Sequence, residues 1–202
     1  MAGEELHQQG EDGVHRAKVW LEATTRVTRA WAVYDETAVE KLTFPWPHGG
    51  QEYSYDLGGI LFGGEFDNQF FLAECKQYKG AGDQGTHYDK FLAQSYVTLR
   101  DHGRLADHFM WVTWAPFRIG TWSKQSDPDA IRSALLHDNN RERVFGANID
   151  LQAATALIDE AVVSDLAARM WIIVLSARQE SLVISDEDRG VLLKRRAKKG
   201  MM

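Results

Sequence analysis

Apolar residues recur at helical spacing near the start of the chain. Val14, Ala17, Leu21, Val27 and Trp31 fall near one face, with Lys18, Glu22, Arg26 and Arg29 elsewhere, which predicts an amphipathic first helix. The stretch Thr43-Phe44-Pro45-Trp46-Pro47-His48-Gly49-Gly50 ends that pattern, because its prolines and glycines support neither a helix nor a central strand. Tyr53 to Phe62 and Phe70 to Lys76 then read as strands. The turn-rich Gly63-Gly64-Glu65-Phe66-Asp67-Asn68 between them predicts an antiparallel hairpin. After a glycine-rich loop from Gln77 to Gly85, the positions Tyr88, Phe91, Leu92, Tyr96 and Leu99 predict a helix from about Thr86 to Asp101. His108 to Ala115 is a strand closed by Pro116. The remainder predicts a short helix from Pro128 to His137, an alanine-rich helix from Leu151 to Arg169 and a buried strand from Met170 to Ser176. The expected class is α/β, with a central mixed sheet flanked by helices.

Length and composition narrow this only modestly. A chain of 202 residues with 44% hydrophobic and 26% charged residues is expected to fold as one domain from 14 to 193, preceded by a loosely attached segment 1–13. Residues 194–202 form a basic tail carrying Lys194, Arg195, Arg196, Lys198 and Lys199. The single cysteine, Cys75, excludes an intramolecular disulfide and a multi-cysteine zinc site, so a reducing compartment fits best. The acidic, polar start and the lack of a long uncharged run predict a soluble, cytoplasmic protein without signal, transit peptide or membrane span. The net charge of -6 confines any nucleic-acid contact to local patches.

The chemistry concentrates in the predicted hairpin. A hydrophobic strand ends in Glu74-Cys75-Lys76, whose two charged side chains point to one face because strand side chains alternate. The partner strand carries one acid, Asp56, which the hairpin sets beside Glu74. Paired carboxylates with an adjacent lysine suit a hard divalent cation and phosphoryl-transfer chemistry.

Asp56 followed by Glu74-Cys75-Lys76, set in the order helix, hairpin, strand, helix, strand, resembles the PD-(D/E)xK nuclease superfamily. The resemblance covers roughly residues 14 to 115. One departure is that Tyr55, and not proline, precedes Asp56. The resemblance implies a restriction-endonuclease-like core and hydrolysis of phosphodiester bonds with Mg²⁺ or Mn²⁺. Asp56, Glu74 and the carbonyl of Cys75 are the implied ligands, and Lys76 assists. It further implies Glu22 as an added acid facing the metal and Gln94 as a site residue on the following helix. A subset of the superfamily spaces that glutamine four residues from a tyrosine; here Gln94 and Tyr96 are two apart, and Tyr96 is assigned to the core. Lys79 in the glycine-rich loop and Lys194, Arg195 and Arg196 are the candidate phosphate contacts. DNA is the expected partner, in restriction, repair or defence, with a homodimer or a subunit of a larger complex as the candidate assembly. The alternative is a catalytically silent relative that binds nucleic acid or serves in assembly.

Other motifs do not compete. No G-x(4)-G-K-[ST], dinucleotide fingerprint or H-E-x-x-H occurs, and His137-Asp138-Asn139-Asn140 lacks the partner groups of a histidine nuclease motif. The aromatic Trp111, Trp114 and Trp122 could stack bases, but Trp111 and Trp114 lie on opposite faces of one strand, which assigns at least one of them to packing.

Overall fold

A computed structural model describes residues 2–24, 26–35, 37–77 and 82–198. In chain order, helix α1 (Ala2–Thr24) leads into strand β1 (Val27–Ala32), a one-turn helix α2 (Val39–Leu42) and the short strands β2 (Thr43–Phe44) and β3 (Tyr53–Ser54). The hairpin follows as β4 (Leu57–Leu61) and β5 (Phe70–Lys76), then α3 (Gln84–His102) and β6 (His108–Thr113). Helices α4 (Pro128–Leu136), α5 (Asp138–Phe145), α6 (Leu151–Ala156) and α7 (Glu160–Arg169) precede β7 (Met170–Val174), and α8 (Ala177–Glu180) and α9 (Asp186–Lys198) complete the described chain.

The main sheet has the order β1-β4-β5-β6-β7 and is mixed. The first three strands are antiparallel neighbours, whereas β5, β6 and β7 run parallel. Parallel neighbours need a crossover, which α3 supplies between β5 and β6 and α4 to α7 supply between β6 and β7. Strand alternation sorts the side chains into two cores. Phe71, Ala73, Cys75, Met110 and Val112 pack with Val14, Ala17 and Leu21 of α1. Leu72, Phe109 and Trp111 pack with Tyr88, Phe91, Leu92 and Tyr96 of α3 on the other face. Trp111 is thus a core residue, while Trp114 packs against the α1 side and lies under the Arg16 guanidinium.

Several boundaries differ from the pattern-based expectation. The first helix starts at Ala2 and stops at Thr24, and Val27 and Trp31 belong to β1, which pairs with β4. Val27 and Ala30 are buried in the α1-side core, so a buried edge strand shares the apolar spacing that suggested helix. The predicted alanine-rich helix divides into α6 and α7. Asp159 causes the division, because its side chain accepts from the amides of Ala161 and Val162 and caps a new helix. The predicted strand from Tyr53 to Phe62 is also broken. Tyr55 turns its amide to the carbonyl of Leu42, and the buried hydroxyls of Tyr53 and Tyr55 both meet Thr98 Oγ1 at 2.9 Å. Asp56 therefore sits in a bend between β3 and β4. Lys194, Arg195, Arg196 and Lys198 lie on α9.

The last segments cross the α1 layer away from β7. Glu180 of α8 takes two hydrogen bonds from Arg16 of α1, at 2.7 and 2.6 Å. Arg189 of α9 donates to the Thr28 carbonyl of β1 and pairs with Glu22 at 3.1 Å. Among the described residues no helix is long and apolar enough to cross a membrane.

Candidate functional site

The site forms where the sheet ladder fails. Leu57 pairs with Ala73, so a continued register would set Tyr55 opposite Cys75 and exchange their backbone hydrogen bonds. Tyr55 has left the sheet, and the Asp56 carboxylate takes the vacated place: its Oδ2 accepts from the Cys75 amide at 2.8 Å. Amide and carbonyl of one strand residue point to the same side. The Cys75 carbonyl therefore faces Asp56, and the Tyr55 amide that would have met it donates to Leu42. Lys76 faces the other neighbour, its carbonyl accepting from Thr113 Oγ1 at 3.0 Å.

Side chains complete the cluster. Lys76 Nζ lies 2.6 Å from Glu74 Oε1 and 3.8 Å from Asp56 Oδ2. The side chains of Asp56, Glu74 and Lys76 are 19%, 14% and 26% exposed, which places them at the rim of the α3-side core and not in free solvent. Burial, with the charge of Glu74 beside it, pushes the Asp56 carboxyl up to about 7; Lys76 and the Cys75 amide oppose this without cancelling it. Glu74 Oε2 is buried without a hydrogen-bond partner. An orphaned carboxylate oxygen next to a carboxyl that resists ionising is a pair short of positive charge.

Neighbouring elements add polar groups that the sequence pattern did not reveal. Desolvation, and then the charge of Asp56, raises the Tyr34 phenol. On α3, desolvation and Lys76 lower His87, and desolvation lowers the Lys90 ammonium despite the opposing charge of Glu74. Positions 87, 90 and 94 share one helical stripe. That spacing, on a helix leaving the active strand, is the signal that could have singled out His87 and Lys90. Tyr34 lies in the turn after β1, a strand that the helical reading concealed.

The expected residues are not all brought together. Asp56, Glu74, Cys75 and Lys76 converge as above, with the Cys75 thiol buried on the α1 side and its pKa driven well up by desolvation. Glu22 is occupied elsewhere: its Oε1 accepts from the Ala30 amide at 2.8 Å and its Oε2 pairs with Arg189, so it ties α1 to β1 and α9. Gln94 is buried on α3, its carbonyl accepting from the Tyr53 hydroxyl, and among the described residues no hydrogen bond joins it to Asp56, Glu74 or Lys76. Lys79 lies outside the described residues. Arg196 sits 3.9 Å over the Phe62 ring, beyond the end of β4 opposite Asp56. The five residues of β4 span about 17 Å, so the Arg196 guanidinium is remote from the Asp56 carboxylate. Among the described residues no group of three or more His, Cys, Asp or Glu side chains is arranged to hold a metal; the acids here are a pair.

Comparison with models of protein families, with curated proteins and with solved structures finds no match. The class that the fold defines is an α/β protein with a five-stranded mixed sheet, carrying an acid pair and a lysine at the carboxyl end of β5.

Proposed function

We propose that this chain is a metal-dependent nuclease of the PD-(D/E)xK kind, with a restriction-endonuclease-like core, that hydrolyses phosphodiester bonds in DNA. The observation that carries the proposal is the convergence of Asp56, Glu74 and Lys76 at the carboxyl end of β5, where α3 departs. With the short α2, β2 and β3 set aside as an insertion between β1 and β4, the order α1, β1, β4, β5, α3, β6 supports the same reading.

The donor set suits Mg²⁺ or Mn²⁺. Both carboxylates and the Cys75 carbonyl are hard oxygen donors, and Glu74 Oε2 is buried without a hydrogen-bond partner. Bound there, a divalent ion would lower the pKa of a coordinated water and neutralise charge on the phosphate. Lys76 pairs with both acids, and in this reading its ammonium would orient an attacking water and offset charge developing on the phosphoryl oxygens. Asp56 exchanges its proton near neutrality, so it becomes a full anion when a cation arrives. One such site cuts one strand at a time. A double-strand break then requires a homodimer or sequential nicks.

Nicking of supercoiled plasmid in Mg²⁺ or Mn²⁺, abolished by chelator, is the expected behaviour of the purified protein. The ion pairs of Lys76 with both acids favour a second reading, a silent nuclease-fold protein that binds nucleic acid or serves in assembly, because the lysine offsets part of the acids' charge from within the chain. DNA binding without nicking in either metal would support that reading over the first.

A further inference from the structure

A cavity of about 590 Å³ lies at the other end of β5 from Glu74, bounded by β1, α2, β2 and the end of α3. Phe70 and Glu74 are on the same strand, so their backbones stand about 13 Å apart. The volume falls in the range of small-molecule sites, roughly 300 to 1,000 Å³.

The walls are aromatic and aliphatic. Trp31 and Phe70 stack at 6.2 Å with 24° between their planes, both only partly buried, and Phe44 meets the His102 ring at 5.4 Å. Leu42 contributes an aliphatic wall, and Gly58 beneath it leaves no room for a side chain, since a Cβ there would come within 2.5 Å of Leu42. The lining is charged unevenly. It holds Lys41 and Arg104 against one acid, Glu40, and among the described residues neither cation is engaged in an ion pair. Flat apolar walls beside cations without an ion pair complement a flat ring with a negative substituent.

We propose that this cavity binds a planar aromatic molecule bearing an anionic group, with the ring among Trp31, Phe44 and Phe70 and the anion at Lys41 and Arg104. The proposal is independent of the nuclease reading, because the two sites share no residue.

Titration calorimetry with naphthalene-1-sulfonate, and with naphthalene-1-methanol as its neutral counterpart, tests it. Saturable binding of the sulfonate at one per chain is expected. Lys41→Ala with Arg104→Ala should weaken the sulfonate about tenfold or more while moving the alcohol by less than about twofold. Thr43→Phe, which fills the cavity from β2, should remove both, and Asp56→Ala with Glu74→Ala should bind both as wild type does. Absence of saturable sulfonate binding, or equal sulfonate affinity in the Lys41, Arg104 variant, would overturn the assignment. That variant changes two exposed side chains, so its result stands whether or not Thr43→Phe folds.

Discussion

The Asp56 carboxylate stands in for a missing strand residue, accepting the Cys75 amide at 2.8 Å where the sheet register would have supplied the carbonyl of Tyr55. One local event, the departure of Tyr55 toward Leu42, thus anchors an acid, directs the Cys75 carbonyl toward it and brings it within 3.8 Å of Lys76. A structural defect and a candidate site have the same cause.

The proposed metal site predicts a pH-dependent linkage through the Asp56 carboxyl. Its folded pKa, about 7, exceeds the unfolded value of about 3.9, so the folded state binds more protons between them and, without metal, this group's contribution to stability declines as pH rises toward 7. A divalent cation must displace that proton. The rise in melting temperature with Mn²⁺ should therefore be larger at pH 8 than at pH 6, approaching about 2.7 kcal/mol of stabilisation at one hundred times Kd. Equal shifts at both pH values, or in Asp56→Ala with Glu74→Ala, would contradict a shared site.

A second pH effect has the opposite sign and comes from His108. The Trp171 indole, which can only donate, gives its hydrogen to His108 Nδ1 at 3.1 Å, so Nε2 carries the ring proton and meets Gln69 Oε1. Desolvation lowers the His108 pKa, with Arg169 reinforcing and Asp107 opposing. The folded state then binds fewer protons than the unfolded state, and stability falls as pH drops below about 6.5. Denaturation midpoints should decline more steeply from pH 7 to 5 in wild type than in His108→Asn, which retains an acceptor but does not titrate. Parallel profiles would exclude His108 as the source.

Gly59 is required by close approach. A Cβ there would lie 2.6 Å from the Arg29 carbonyl oxygen and from the Phe71 ring. Gly59→Ala should cost roughly 1–3 kcal/mol in urea unfolding. Gly120→Ala, with nothing within 4 Å, should stay within about 0.5 kcal/mol.

How much of this was legible depended on whether a signal was local. The hairpin, the strand ending in Glu74-Cys75-Lys76 and helix α3 follow from periodicity and turn residues, and the side-chain alternation that sends Glu74 and Lys76 one way and Cys75 the other was readable directly. Strand β1 was not, because Val27 and Trp31 extend the apolar spacing of α1 past the end of that helix. Glu22 looked available on its helix; only the fold shows Ala30 and Arg189 claiming both of its oxygens. The bend at Asp56 depends on Thr98 and Leu42, distant in sequence, and no local pattern announces it.

On the proposed nuclease reading, the basic residues of α9 add phosphate contacts separable from the carboxylate site. Lys194→Glu with Arg195→Glu should weaken DNA binding and flatten the dependence of log K on log salt, by about 0.9 for each phosphate no longer neutralised, while the rate at saturating DNA stays unchanged. Arg196 is left in place because it packs on Phe62. An unchanged slope would assign the α9 charges to solvent alone.

The central claim rests most directly on single-turnover plasmid nicking in Mg²⁺ by wild type, Asp56→Ala, Glu74→Ala, Lys76→Ala and Cys75→Ala, each first shown to fold by its melting transition. The account predicts metal-dependent nicking by wild type and losses of about a hundredfold or more in each of the first three variants. Cys75→Ala should remain within about tenfold of wild type, since the proposed site would use only its carbonyl and the buried thiol faces the α1-side core. Near wild-type nicking by well-folded Asp56→Ala, Glu74→Ala and Lys76→Ala, or activity that persists in excess chelator and vanishes in Cys75→Ala, would contradict it.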